Sequence, residues 1–303
     1  MPKHNNINCI NIIIVLILSL FALCGCEKNN SIKVLSFNMG FEKTVDGLAV
    51  WDSKKPVLER FFKKNDFDIM GLQDVSEEQF NEIQDILPNY SHFGANKTDY
   101  AKAGEYSPIF YDKNSFTLLT KSQFWLSEMP DSVINNNLDE VSQHVVNWGR
   151  LSFNKTGHIF YVFNTRFAYD NKLLQDNSAR FLLKRIKEIA GNAPVIVMGD
   201  FNLRTNENVY NILTTNWDRF LSLEDTDSFI NKKPKRGNET KSNISPKLDC
   251  ILINGYFDVL SYKMQVIEEN EKFISEHCPV SAKIYFLFDR RFRHGELFLD
   301  YNN

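Results

Sequence analysis

The chain has 303 residues, of which 43% are hydrophobic, 13% aromatic and 24% charged, with 25 Phe and 11 Tyr. That composition excludes a disordered, collagen-like or low-complexity protein and supplies enough apolar volume for one large domain or two small ones. A formal charge of −3 argues against gripping nucleic acid through bulk positive charge and leaves room only for a local basic patch.

Lys3 precedes an apolar run from Ile10 to Leu23, broken by Asn11 and Ser19, which closes on Leu23-Cys24-Gly25-Cys26. A span across ~30 Å of hydrocarbon takes roughly 20 apolar residues, so this run reads as a secretory signal. Gly25 before Cys26, with Leu23 three residues upstream of that cysteine, resembles the lipobox of bacterial lipoproteins, in which the cysteine becomes the lipidated N-terminus. The alternative is an uncleaved anchor or an ordinary signal peptide. The expected organisation is a signal over residues 1–25, a tether over 26–31, a domain over 32–286 and a C-terminal tail over 287–303. The expected location is the bacterial cell envelope, lipid-anchored and extracytoplasmic, at the outer membrane or cell surface. Of five cysteines, only Cys250 and Cys278 then remain in the folded part. Strand alternation points them inward as buried free thiols, although an oxidising compartment permits a bridge between them.

Short apolar runs rich in β-branched and aromatic residues predict strands at Ile32–Phe37, Asp68–Leu72, Ile109–Tyr111, Phe116–Leu119, His158–Asn164, Pro194–Met198, Leu248–Ile253 and Pro279–Phe286. Amphipathic spacing predicts helices at Val57–Lys64, Glu77–Ile86 and Ser178–Ala190. Asp131–Gln143 and Lys232–Ser245 read as surface loops, and the tail from Asp289 as an appendage. No Pro/Ser/Gly-rich linker divides residues 32–286, so a single α/β domain is expected.

The ends of the apolar runs carry the chemistry. They stop at Asn38, at Gln73-Asp74, at Asn164-Thr165-Arg166 and at Gly199-Asp200-Phe201-Asn202, while Leu248-Asp249 and Ser275-Glu276-His277 precede later strands. Strands lying side by side would gather these groups along one rim. Taken singly, an Asp or Asn after a strand is usually a turn residue or helix cap.

At these residues the chain resembles the endonuclease/exonuclease/phosphatase superfamily, which includes DNase I-like nucleases, exonuclease III-like repair enzymes, inositol polyphosphate 5-phosphatases and bacterial sphingomyelinases. The motifs are Gly199-Asp200-Phe201-Asn202, Leu248-Asp249 and Ser275-Glu276-His277-Cys278-Pro279-Val280, with Leu35-Ser36-Phe37-Asn38 and Leu72-Gln73-Asp74-Val75 in support. Gly104–Tyr111 and Trp125–Pro130 look like a secreted bacterial branch. The resemblance implies a four-layered α/β sandwich, with two mostly antiparallel sheets face to face and helices outside. It also implies a metal-dependent phosphoesterase using Mg²⁺ or Mn²⁺, one ion, and acting as a monomer without an obligate protein partner. Carried over residue by residue, Asp74 is the metal ligand, Asn38 supports the metal or its water, and Glu276 is an auxiliary ligand. Asp200 activates water, Asn202 donates to the phosphate, and Asp249 holds His277 as an imidazolium. Arg166, Arg150 and Arg180 are the expected substrate-binding cations.

Three positions depart from the family pattern: Asp74 stands for a glutamate, Glu276 for an aspartate, and Arg166 for a frequent histidine. Arginine can clamp a phosphate through two hydrogen bonds but cannot shuttle a proton. The expected function is hydrolysis of a phosphodiester or phosphomonoester outside the cytoplasm. The alternative is a catalytically weak or inactive member that serves as a cell-surface binding lipoprotein for phosphate ligands.

Overall fold

The computed structural model describes residues 30–40, 50–94, 106–126, 144–169, 171–203, 207–215, 222–230, 248–265, 267–269, 272–273, 275 and 277–287. Cys26, the two expected loops, Glu276 and the tail from Asp289 lie outside the described residues. In chain order the first half comprises β1 (Ser31–Asn38), α1 (Val50–Asn65), β2 (Ile69–Gln73), α2 (Glu77–Ile86), β3 (Tyr90–Phe93), β4 (Ile109–Asp112), β5 (Phe116–Trp125) and β6 (Val145–Phe153). The second half comprises β7 (Ile159–Arg166), α3 (Lys172–Ala190), β8 (Val195–Asp200), α4 (Glu207–Thr214), β9 (Leu223–Asp225), α5 (Thr226–Ile230), β10 (Asp249–Asn254), β11 (Phe257–Met264), the two-residue strands β12 (Glu268–Glu269) and β13 (Lys272–Phe273), and β14 (Val280–Phe286).

Two six-stranded sheets form the body. One runs β11-β14-β1-β2-β4-β3 and the other β5-β6-β7-β8-β10-β9. Within them β1 pairs in parallel with β2, and β7 with β8, whereas the remaining ladders are antiparallel. The central strands β2, β8 and β10 are buried along their whole length. Burial on both faces explains why they read as unbroken apolar runs and not as alternating ones.

Between the sheets the core includes Val34, Ile69, Phe116, Phe160, Ile196, Ile251, Phe257 and Phe286. Phe160 meets Phe116, Phe257 and Phe286 with ring centroids 5.9, 6.3 and 5.6 Å apart in edge-to-face contacts. Such pairs contribute about 0.5–1.5 kcal/mol each beyond the burial of their area. On the outer face of the first sheet, Leu58, Phe61 and Phe62 of α1 and Phe80 and Ile83 of α2 cover Leu35, Met70 and Leu72. On the outer face of the second, Ala179, Leu182 and Ile186 of α3 and Val209 and Ile212 of α4 cover Phe163, Val195 and Val197. The order is therefore helix, sheet, sheet, helix, the four-layered α/β sandwich expected from the sequence.

Cys250 is buried and Cys278 half-buried, and both are free thiols. His92 packs edge-on against Phe80 and His158 stacks on Phe286.

Candidate active site

Strand register brings the polar run ends to one rim. Asn38, the last residue of β1, lies opposite Gln73 in the parallel β1–β2 ladder, so Asp74 follows at the same level. Asp74 turns the chain with φ 53°. Directly after it, Val75 exchanges backbone hydrogen bonds with Tyr106, and Ser76 caps α2 by accepting from the Gln79 N–H at 3.1 Å. Gln79 returns a side-chain oxygen to the Ser76 N–H at 2.8 Å, completing a capping box that fixes the chain beyond Asp74.

In the second sheet Arg166 of β7 pairs in parallel with Asp200 of β8, and Asp200 pairs with Asp249 of antiparallel β10. One strand thus ends where its antiparallel neighbour begins, which puts both aspartates on the same edge. Gly199 permits the close ladder: a Cβ there would stand 2.7 Å from the Thr165 carbonyl oxygen. His277 reaches the rim from the segment before β14. Its N–H donates to Ser275 Oγ at 3.1 Å, and that hydroxyl donates to the Asn38 carbonyl at 2.9 Å.

Beneath the rim, amides tie the two sheets together. Gln73 Nε2 donates to Asn164 Oδ1 at 2.6 Å, while Asn164 Nδ2 lies within 2.8–3.0 Å of the carbonyls of Leu72, Ser107 and Pro108. Both side chains are fully buried. They register the Asp74 end of one sheet against the Arg166–Asp200 end of the other.

The side chains converge. Asn38 Nδ2 donates to Asp74 Oδ2 and to Asp200 Oδ2, each at 2.9 Å. Arg166 Nε lies 3.0 Å from Asp74 Oδ2 and 3.8 Å from Asp200 Oδ2. His277 Nδ1 lies 2.9 Å from Asp249 Oδ2 and 3.9 Å from Asp200 Oδ2. Burial would lower the His277 imidazole, but the hydrogen bond and charge of Asp249, with Asp200 and Asp74 behind it, raise it to about 9. Burial, and then the charge of Asp249, push Asp200 up to about 6 against the opposing pull of His277 and Asn38. Burial likewise raises Asp249, with His277 opposing. At neutral pH the ring is an imidazolium whose Nδ1 faces Asp249, so Nε2, on the opposite edge, can donate to a phosphoryl oxygen or a leaving group. Asp200 is a carboxylate poised to accept a proton from an attacking water.

The structure thus unites Asn38, Asp74, Arg166, Asp200, Asp249 and His277. Other expected members differ. Asn38 Oδ1 accepts from the Gly40 N–H at 2.8 Å, with its NH2 toward the carboxylates. Asn202 is buried and donates to the Phe167 carbonyl at 2.7 Å, and its N–H donates to Asp200 Oδ1 at 3.1 Å, so it braces the turn that carries Asp200. Arg150 pairs with Tyr161, five positions before Arg166, which at strand rise is roughly 16 Å from the rim. Arg150 thus stands away from the cluster. Arg180 is exposed on α3. From sequence His144 reads as an ordinary surface or structural histidine; it adjoins Arg166, and burial and then that positive charge lower it to about 4. Its lone position before Val145 gave no signal, because the neighbour lies across the sheet.

An α/β sandwich of two six-stranded sheets with an acidic rim, joined by a histidine and an arginine, is the DNase I-like architecture. A sequence model of the endonuclease/exonuclease/phosphatase family matches residues 35–256, and the chain belongs to that family. Among solved structures it is similar to an endonuclease/exonuclease/phosphatase of Bacteroides vulgatus, at 28% identity, with 85% of this chain and 99% of that one covered and a TM-score of 0.72. It is also similar to the mannosyl-6-phosphatase of Bacteroides thetaiotaomicron, at 26% identity, with 84% and 100% covered and a TM-score of 0.70. The catalytic domain of human Nocturnin, 19% identical with 85% and 95% covered and a TM-score of 0.68, shares the fold. An uncharacterised protein of Acanthamoeba polyphaga mimivirus is 21% identical over 268 residues, covering 82% of this chain and 98% of its own.

The donor set suits the divalent cation that this family implies. Carboxylate oxygens of Asp200 and Asp249 lie within 4.8 Å of one another, with the protonated His277 ring beside them. Asp249 Oδ1 is buried without a hydrogen-bond partner among the described residues. Carboxylates are hard oxygen donors of the kind Mg²⁺ and Mn²⁺ take. With all groups ionised, Asp74, Asp200 and Asp249 outnumber Arg166 and His277 by one charge. Asp74 and Asp200 would hold the ion, and when bound it would neutralise charge on the phosphoryl oxygens.

Proposed function

We propose that the protein is a divalent-metal-dependent phosphoric ester hydrolase, acting on a phosphomonoester or phosphodiester outside the cytoplasm. The observation that carries this reading is the hydrogen-bonded Asp249–His277 pair at 2.9 Å beside Asp200, a protonated donor and a proton acceptor flanking one place. His277 serves the phosphoryl or leaving oxygen and Asp200 the water, while Arg166 supplies a guanidinium for the phosphate. Similarity to the Bacteroides thetaiotaomicron mannosyl-6-phosphatase supports including sugar phosphomonoesters among the substrates.

The Leu23-Cys24-Gly25-Cys26 ending of the apolar run supports a secreted lipoprotein anchored through Cys26, with residues 32–286 as the hydrolase domain working as a monomer. Mass spectrometry of the native N-terminus tests the anchor: lipid on Cys26 is expected, and an intact Met1 or an unmodified Cys26 would refute it.

The activity is tested by phosphate or nitrophenol release from p-nitrophenyl phosphate, its bis-ester and sugar 6-phosphates, with Mg²⁺ or Mn²⁺ against EDTA. Release that needs the ion and falls at least ~10²-fold in D200A is expected. A second reading, a phosphate-binding lipoprotein without turnover, draws on the Arg166–Asp74 ion pair. Binding of phosphate with no release from any ester would favour it.

A further inference from the structure

We infer that Arg166 is a resident counter-cation of the carboxylate site, so that a divalent ion binds by exchange: the ion takes the Asp74 and Asp200 oxygens and the guanidinium is handed to the phosphate. The inference rests on the metal-dependent reading above and names what regulates that site.

The placement is specific. Arg166 Nε stands 3.0 Å from Asp74 Oδ2 and 3.8 Å from Asp200 Oδ2. Those are the two oxygens, one from each sheet, that Asn38 Nδ2 also binds at 2.9 Å. Asp200 and Asp74 are almost wholly buried, while Arg166 keeps about a quarter of its side chain exposed. Arg166 is thus the most exposed side chain of the cluster, although its Nε atom is itself buried. Mg²⁺ takes oxygen ligands at about 2.0–2.1 Å in a near-octahedral shell. A divalent ion on that same oxygen would stand close to the guanidinium now at 3.0 Å and be repelled by it, which favours moving that cation aside.

The chemistry of arginine favours displacement over neutralisation. A histidine at this position could lose its proton and withdraw as a neutral ring, but arginine stays charged at all working pH values. Its planar fork also matches phosphate geometry, so the displaced group has a destination once an ester arrives.

Mn²⁺ alone, titrated calorimetrically into the full protein, provides the test. An opposite charge in direct contact commonly shifts ionic equilibria by one to three orders of magnitude, so R166Q should bind Mn²⁺ at least ~10-fold more tightly than wild type. R166K keeps the charge and should stay within about threefold of wild type. Equal Mn²⁺ affinity in wild type and R166Q overturns the exchange and leaves the metal-dependent reading standing. No Mn²⁺ binding by any variant overturns both. Should R166Q not fold, the wild-type protein decides: its Arg166 Nε–H resonance, assigned by its loss in R166K, should shift as Mg²⁺ is added. An unmoved resonance at saturating Mg²⁺ overturns the exchange.

Discussion

Replacing Asp249 with Asn removes the carboxylate that faces His277 Nδ1 at 2.9 Å while keeping a side chain of the same shape. His277 is raised from 6.5 to about 9, and at 1.36 kcal/mol per unit the proton contributes about 3 kcal/mol to folding. A raised histidine binds its proton more tightly when folded. Its contribution is therefore complete below pH 6.5 and disappears as pH climbs through about 9. Asp68 and Asp200, both raised to about 6, titrate below this window, and Cys278, raised from 9.0 to about 11, adds its own loss of stability only from pH 9 upward. Urea denaturation in EDTA between about pH 6.5 and 9 should show wild type losing up to about 3 kcal/mol, with under about 1 kcal/mol lost in D249N. The His277 ring resonance should titrate near 9 in wild type and at least ~1 unit lower in D249N. A ring that titrates near 6.5 in both proteins would refute the reasoning.

H277A and D249N should each lower turnover by about 10²–10⁴-fold, and the double variant should lose little more than the worse single one, because the aspartate acts through the imidazole. Multiplying losses in steady-state assays would show two independent groups. Asn164→Ala strips the Gln73 amide and the carbonyls near Asn164 Nδ2 of buried partners, and should cost about 2–4 kcal/mol in chemical denaturation. A cost below about 0.5 kcal/mol would remove the inter-sheet tie as a structural element. Gly199→Ala places a Cβ against the Thr165 carbonyl at 2.7 Å and should destabilise by about 1–3 kcal/mol, with activity falling further than that loss of folded protein explains. A neutral melting curve and full activity would show that the ladder gives way freely.

Much of the architecture was legible because its central strands are buried on both faces. The apolar runs at Asp68–Leu72, Pro194–Met198 and Leu248–Ile253 match β2, β8 and β10 within two residues at either end. Edge and half-exposed strands were not legible. β5 reaches Trp125 because the exposed Thr120, Lys121 and Ser122 still pair with β6, and no apolar pattern marks them. β6 was not among the predicted strands, because Asn147, Gly149 and Arg150 interrupt its apolar residues, yet Gly149 is small because the Phe93 ring would lie 2.5 Å from a Cβ there. α1 begins at Val50 and carries Pro56 inside it, so the propensity-based start at Val57 fell one residue after the proline. α3 starts earlier than its apolar stripe, at Lys172, because Asn171 accepts from the Leu174 N–H and caps it.

The site divides in the same way. The pairing of Asp249 with His277 was legible from motif order, and the gathering of the strand ends from their shared polarity. The Arg166–Asp74 ion pair was not, since it joins the ends of two different sheets 92 positions apart in the chain. Glu276, which stands for the family's aspartate, lies outside the described residues. What the structure adds is a cation already standing at Asp74.

The central claim is that the rim of Asp74, Asp200, Asp249 and His277 is where a divalent ion and a phosphate ester meet. Anomalous diffraction from crystals soaked in Mn²⁺ with inorganic phosphate tests it most directly. The account predicts one Mn²⁺ peak at ligand distance from carboxylate oxygens of Asp74 and Asp200, with phosphate beside it and within hydrogen-bond reach of His277 and Arg166. Phosphate and Mn²⁺ bound elsewhere, with the Arg166–Asp74 pair undisturbed in the same crystal, would contradict it.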